Sequence, residues 1–353
     1  MASPVHESTD TELVGVSYIM PVLNEASHVR AAVQSLLEQD YTGPFEVTLA
    51  LGPSIDGTTQ LVEEMAAVDP RIRVVENTVG STPAGLNIAI RASRFPVVIR
   101  VDAHSVLPRN YARIAVETLQ RTGADNVGGI MDAQGTTPFQ KAVARAYGTR
   151  IGLGGTPLHV GGAEGEAETV YLGCFRRDSL LRVGMFDEGI KRGQDWELNR
   201  RLRDSGGSVW FTPELKVIYR PRPSLSRLAR QMVSTGLWRG ELARRYPAAN
   251  GLRYFAPPVM VLGVTIGMVL GLIGLVQVLV GGSGWLLLGF AVPLAYLLIV
   301  LAAASTATRS GGVPVALWFL VVLPCIHFCW GIGFLLGYLK LTTNIAAHTG
   351  RHQ

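Results

Sequence analysis

The chain has 353 residues, a length suited to about two domains; 48% are hydrophobic, only 17% are charged, and the formal net charge is +5. A charged share this far below the usual value of about 25% excludes a disordered chain and points toward a membrane. All 27 acids and all but three of the 32 Lys and Arg lie in residues 1–253, and no basic face with interleaved aromatics occurs there, which speaks against nucleic acid as a partner.

Residues 1–13 read as a polar tail without the basic and apolar stretches of a cleaved signal peptide. Val14–Met20 is a short apolar run ended by Pro21, as suits a buried parallel strand. Helical spacing follows over Ala26–Glu38, then a strand over Phe45–Leu51 and a helix over Thr58–Val68. A third strand at Ile72–Val75, a helix at Gly85–Ala92 and a fourth strand at Val97–Val101 continue the alternation. Such alternation predicts right-handed βαβ units in a doubly wound, mostly parallel sheet. Ligands of these sheets bind beyond the carboxyl ends of the strands, which directs attention to Asn24-Glu25, to Pro53–Gly57 and to Asp102-Ala-His104.

Asp102 and His104 stand two apart after an apolar strand. They read either as two ligands of a divalent cation shared with phosphates, Mg²⁺ or with the imidazole Mn²⁺, or as a strand-end turn. Gly148–Glu168 is glycine-rich and reads as a loop that reorders near an acceptor entrance. A helix is predicted from Gln194 to Arg203, ended by Gly206-Gly207. Asp195 in its first turn reads either as an ordinary capping acid or as a positioned general base. Arg220–Arg253 holds eight arginines against the single acid Glu241, interleaved with Leu228, Met232, Leu237, Trp238 and Leu242. That pattern predicts one or two basic amphipathic helices over 220–254, lying on the cytosolic membrane face. Three apolar segments close the chain, at about 257–281, 285–305 and 313–339, each long enough to span hydrocarbon. Short linkers predict an antiparallel trio within residues 255–340. Arg309 and the arginines before Tyr254 belong in the cytosol by the charge rule, which puts the 341–353 tail outside. Cys174, Cys325 and Cys329 make no disulfide framework.

Neither a G-x-G-x-x-G after the first strand nor a P-loop is present, which disfavours dinucleotide oxidoreductases and P-loop NTPases. The remaining motifs, taken in order, are Pro21-Val-Leu-Asn24-Glu25, Asp56-Gly57-Thr58, Gly85-Leu86-Asn87, Arg100-Val-Asp102-Ala-His104, Gly184-Met-Phe-Asp-Glu188, Gln194-Asp195-Trp-Glu197 and Tyr219-Arg-Pro-Arg222. Together they resemble the family 2 glycosyltransferases of GT-A fold, and within them the membrane-anchored bacterial branch of succinoglycan-type glucosyltransferases. The resemblance implies a Rossmann-like GT-A domain over 14–219, facing the cytosol at the cytoplasmic membrane, followed by a small all-α domain of three membrane helices.

The resemblance further implies an inverting transfer from a nucleotide-sugar, most often a UDP-sugar. Pro21, Asn24, Glu25, Asp56, Asn87, Arg100 and Asp102 would bind the donor; Asp102 and His104 would hold Mg²⁺ or Mn²⁺; Asp195 would be the base. Gln194, Trp196, Arg222, Gln231, Trp238 and Arg239 would meet the diphosphate and the acceptor. The acceptor would be a membrane lipid: a polyprenyl phosphate, a lipid-linked oligosaccharide or a diacylglycerol lipid. Three features depart from the family pattern. Leu51 and Gly52 stand where relatives carry acids that grip the base, His104 replaces the last acid of the metal motif, and Trp238-Arg239 reverses the usual Arg-Trp order. Two other functions fit the motifs: a processive polysaccharide synthase, for which three short spans make a poor channel, and an inactive membrane scaffold.

Overall fold

The computed structural model describes residues 13–342, so nearly all of the 1–13 and 341–353 tails lies outside the described residues. In chain order the elements are β1 (Val16–Val22), α1 (Val29–Leu37), β2 (Phe45–Leu51), α2 (Thr58–Val68), β3 (Ile72–Glu76), α3 (Thr82–Ala92), β4 (Val97–Arg100), α4 (Tyr111–Thr122) and β5 (Asn126–Ala133). Then come α5 (Pro138–Tyr147), α6 (Arg150–Leu153), α7 (Pro157–Val160), β6 (Gly165–Glu166), β7 (Tyr171–Arg176), α8 (Arg177–Arg182), α9 (Gln194–Asp204) and β8 (Val209–Tyr219). The long helices α10 (Leu225–Arg245), α11 (Ala256–Leu279) and α12 (Ala291–Tyr338) follow. Two compact units result. Residues up to Gly129, Ala163–Gly189 and Asp195–Val217 form the first; Ile130–Gly162, Ile190–Gln194 and the chain from Ile218 onward form the second.

The sheet has the strand order β3-β2-β1-β4-β7-β5-β8-β6. Strands β1 to β4 pair in parallel, whereas β7 runs antiparallel to both β4 and β5. Alternation along the strands sends side chains to two faces. Tyr18, Met20, Leu49 and Ile99 pack with α1 and α4 on one face, while Ile19, Ala50 and Val98 pack with α3, α8 and α9 on the other. Both faces are covered, so the strands read as continuous apolar runs. The chain builds β1, β2 and β3 outward in one direction and then returns to place β4 on the other side of β1. The carboxyl ends of β1 and β4 therefore lie side by side at the switch point of the sheet, where ligands of this architecture bind.

Strand β1 continues through Pro21 instead of ending before it. Pairing with β4 stops at Ile19↔Arg100, apart from the bond from Val101 N to Ile19 O, while pairing with β2 runs on to Val22↔Leu51. Ile19 faces β4, so Pro21, two residues on, has its nitrogen toward an edge where β4 has already ended. The missing N–H removes no ladder bond there.

The second unit is helical. Among the described residues three helices are long and apolar enough to cross a membrane: Leu252–Leu279, Trp285–Arg309 and Gly311–Tyr338. The last two are joined through a break at Gly311 and Gly312. Of the one or two helices expected over 220–254 the structure has one, α10, followed by the short turns Pro247–Ala249 and Leu252–Phe255. Its apolar stripe is not left for lipid: Leu228 and Met232 are buried in one cluster with Phe319 and Val322 of α12. Four glycines make this possible. A Cβ on Gly236 or Gly240 of α10, or on Gly333 or Gly337 of α12, would fall 2.0–2.2 Å from a backbone carbonyl oxygen of the facing helix. Spaced four apart on each helix, they line one side of it and let the two backbones touch.

The first and third apolar helices also meet. Phe255 stands edge-on to Phe334 and Tyr338, with ring centroids 5.3 and 6.1 Å apart. In an antiparallel trio of equal crossings those ends would lie on opposite sides; here they are neighbours.

Candidate active site

Two loops are laced together at the carboxyl ends of β1 and β2. Asn24, at φ 52°, accepts through Oδ1 from Ile55 N (2.9 Å), and its own N–H donates to Ser54 Oγ (3.0 Å). Glu25 N donates to Thr58 Oγ1 (2.9 Å), and Ala26 N to Asp56 Oδ2 (3.1 Å). The Thr58 hydroxyl, more than any other neighbour, holds the Asp56 carboxyl below its ordinary range, with the N–H groups of Ala26 and Thr58 adding to it. Asn24 and Asp56, expected as donor ligands, thus spend side-chain oxygens on backbone N–H groups that tie the two loops together. This lacing also explains why α1 begins at Val29 and not at Ala26.

Asn87 is engaged elsewhere. Its amide donates to Phe186 O (2.8 Å) and Glu188 Oε1 (2.9 Å) and accepts from Phe186 N (2.9 Å), which pins the 184–188 segment to α3. Both amide hydrogens are used, so Asn87 has no donor left for a nucleotide.

Arg100 is the centre of the first unit's charge. Its side chain is 8% exposed, and it donates to Asp102 Oδ1 (3.0 Å) and, through the other terminal nitrogen, to Asp195. Burial alone would lower its pKa; the adjacent Asp195 and Asp102 outweigh that and drive it up, so the guanidinium stays charged. Strand β4 thereby carries Asp102 to the first turn of α9, where the positive helix end favours Asp195. The other first-turn acid, Glu197, is 2% exposed and held by Arg201 at 2.7 Å. Of the two, Asp195 alone keeps access to solvent, at 36% exposure.

His104 meets Glu25 across the switch point, with Nδ1 3.2 Å from Oε1. The second oxygen of Glu25 lies 3.4 Å from His28 Nδ1. Among the described residues no three His, Cys, Asp or Glu side chains group to hold a metal by themselves. Asp102 and His104 offer one carboxylate and one imidazole, a set that fits Mg²⁺ or Mn²⁺ when a diphosphate and water complete the shell. Trp196, 5% exposed, donates through Nε1 to Glu168 Oε1 (2.6 Å), a link sequence reasoning missed. A buried indole N–H needs a partner, and three glutamates in the preceding glycine-rich segment were available signals. Glu164 of that segment binds Trp210 Nε1 (2.8 Å) and Arg121 (2.5 Å).

Gln194, Arg222, Gln231, Trp238 and Arg239 belong to the second unit. There Gln231 donates to Tyr219 OH (3.0 Å) and accepts from Arg222 Nε (3.3 Å). Arg239, 8% exposed, donates to Asn250 Oδ1 (2.5 Å) and lies 3.5 Å over the Tyr254 ring. Trp238 is 4% exposed and Gln194 9%. Arg239 thus ties the end of α10 to the segment that leads into α11.

Comparison with known proteins follows the same lines. Residues 17–180 match the family model described as Glycosyl transferase family 2. The chain is 30% identical over 331 residues to the "Succinoglycan biosynthesis protein ExoA" of Rhizobium meliloti (strain 1021), covering 93% of this chain and 96% of that protein. It is 25% identical over 218 residues to "Glycosyltransferase AglE" of Haloferax volcanii, covering 61% of this chain and 70% of that one. A solved structure of the mannosyltransferase PcManGT from Pyrobaculum calidifontis, in complex with GDP-Man and Mn²⁺, aligns with a TM-score of 0.55. At 19% identity, over 92% of this chain and 86% of that one, this likeness concerns the fold.

Proposed function

Since the chain belongs to glycosyltransferase family 2, we propose that it is an inverting transferase that moves a sugar from a UDP-sugar to a lipid-linked acceptor, at the cytosolic face of the cytoplasmic membrane. The observation that carries the proposal is the pairing of buried Arg100 with both Asp102 and Asp195, which joins a strand-end acid to a helix-terminal acid at the ligand-binding edge of the sheet. The membrane lipid as acceptor is supported by the three apolar helices.

The chemistry needs three things of the chain. An acceptor hydroxyl must lose its proton as its oxygen forms a bond to the anomeric carbon; Asp195, partly exposed and held in place by Arg100, receives that proton. The bond from the anomeric carbon to the diphosphate oxygen breaks, and UDP leaves with the electron pair. Negative charge grows on the diphosphate, and the permanently charged Arg100 lies beside the acid proposed to face it. A divalent cation on Asp102 and His104 would supply further charge neutralisation at the leaving diphosphate.

The test uses membranes carrying the wild-type protein or Asp195→Asn, incubated with radiolabelled UDP- and GDP-sugars and Mg²⁺ or Mn²⁺. Label extracted into organic solvent with one UDP-sugar, lowered about 10²–10⁴-fold in Asp195→Asn and abolished by EDTA, is the expected result. No transfer from any donor by folded protein in native lipids overturns the proposal.

A further inference from the structure

We infer that Glu25 is a positioning residue for the cation: it holds the ring of His104 so that Nε2 is the liganding nitrogen, and together they make the site prefer Mn²⁺ over Mg²⁺. The inference rests on the donor-and-cation reading above. It departs from the family resemblance, which gives Glu25 to the donor.

The contact itself supplies the argument. A ring that ligates a cation is neutral and has one N–H; an ionised carboxylate only accepts hydrogen bonds, so in that ring the Nδ1 facing Glu25 Oε1 at 3.2 Å is the nitrogen that keeps the proton. The lone pair is then on Nε2. A histidine that ligates a metal through one nitrogen commonly donates from the other to a carboxylate, which fixes its tautomer and raises its basicity. The loop lacing fixes Glu25 in this position, since its backbone N–H is bound to Thr58 Oγ1 (2.9 Å) and the residue is 8% exposed. The sheet order explains why these two residues meet, since β1 and β4 are neighbours and each leaves one of them at its carboxyl end. His104 stands where the resemblance places the last acid of the metal motif, and Glu25 puts a carboxylate behind that imidazole. An imidazole in an otherwise oxygen shell favours Mn²⁺, the softer of the two candidate ions. His28, 3.4 Å from the other oxygen of Glu25, lies on the helix side of the pair and serves as the control position.

The experiment titrates the purified full-length protein in detergent with UDP, and in parallel with GDP, by calorimetry with Mn²⁺, with Mg²⁺ and with EDTA. In the wild type, nucleotide binds more tightly with Mn²⁺ than with Mg²⁺ or EDTA. Glu25→Gln lowers the Mn²⁺-supported affinity about 10–100-fold and leaves the EDTA value within about twofold. His28→Asn changes neither. His104→Asp shifts the preference to Mg²⁺, and adding Glu25→Gln to it costs less than about threefold, because there is no longer a ring to orient; this pair also serves if Glu25→Gln alone folds poorly. Equal weakening by Glu25→Gln in Mn²⁺ and EDTA overturns the inference and makes Glu25 a nucleoside ligand, and an unchanged Mn²⁺-supported affinity overturns it too. A wild type whose nucleotide affinity ignores Mn²⁺ fails the donor-and-cation reading itself, which separates the two failures.

Discussion

The same parallel strands carry a charge cluster at each end, and the two are built in opposite senses. Near the amino end of β2, the Glu46 side chain is fully buried and accepts from Ser17 Oγ (2.7 Å), Arg94 N (2.7 Å), Arg94 Nε (2.6 Å) and Arg73 (3.3 Å). Its arginines stay in water, 61% and 37% exposed. At the carboxyl end of β4 the arginine is buried, and the acids Asp102 and Asp195 keep 16% and 36% of their surface. A structural cluster encloses its acid and saturates it. The cluster proposed as catalytic encloses its cation and leaves the acids able to meet a ligand.

Substitutions at three positions press on that contrast. Arg100→Met has the largest expected effect. Both acids lose the group that orients them, and turnover falls by about 10²-fold or more, the usual result when a base is displaced by about 1 Å. Arg100→Lys recovers only part of it, because a lysine ammonium lacks the planar, rigid set of donors that holds two carboxylates in fixed positions. Steady-state rates of the two variants in detergent decide the matter; turnover within threefold of wild type in Arg100→Met would remove Arg100 from the mechanism.

Glu46→Gln comes next and acts on stability, not on chemistry. It should cost about 1–3 kcal/mol, since the exposed arginines rehydrate and the buried donors at Ser17 and Arg94 N are left poorly matched. Activity per folded molecule should not change. Burial pushes the Glu46 carboxyl up, but the N–H and guanidinium of Arg94 and the Ser17 hydroxyl outweigh it and hold the pKa below the ordinary 4.5. The folded pKa is therefore the lower one. Its stabilisation is complete above about pH 4.5 and is lost as pH falls through the lowered folded value. Thermal melts from pH 6 down to pH 3 should show the wild type losing more stability than Glu46→Gln; parallel curves would count against the cluster.

Asp69→Asn sets the lower bound of the comparison. Asp69 pairs with Arg71 at 2.6 Å, but Arg71 is 43% exposed, and solvent screens the pair. The melting free energy should change by less than about 0.5 kcal/mol. A larger loss would mean that surface pairs of this unit matter as much as the enclosed ones.

Much of this was legible in the residues, and where it was not the reason is tertiary. β2 and α2 run over the stretches their spacing predicts, because apolar period and turn residues agree there. β1 outran its proline since only the sheet reveals which neighbour Pro21 faces. The strand ends drew attention to Asp102, His104 and Glu25, which adjacent strands do bring together, yet their partners could not be read: Arg100 and Asp195 are far apart in the chain. Asn87 looked like a ligand for the same reason, its contacts at 186–188 being invisible in sequence. The arginine-rich helix looked destined for a membrane surface because its apolar stripe is real; nothing local told that α12 would cover it.

The glycine contact between α10 and α12 also dictates an order of events during synthesis. Residues 236 and 240 emerge from the ribosome well before 333 and 337, so α10 waits through the synthesis of α11 and most of α12 with its groove unfilled. The last turns of α12 close that groove, and a nascent chain released before them would leave α10 without its seat.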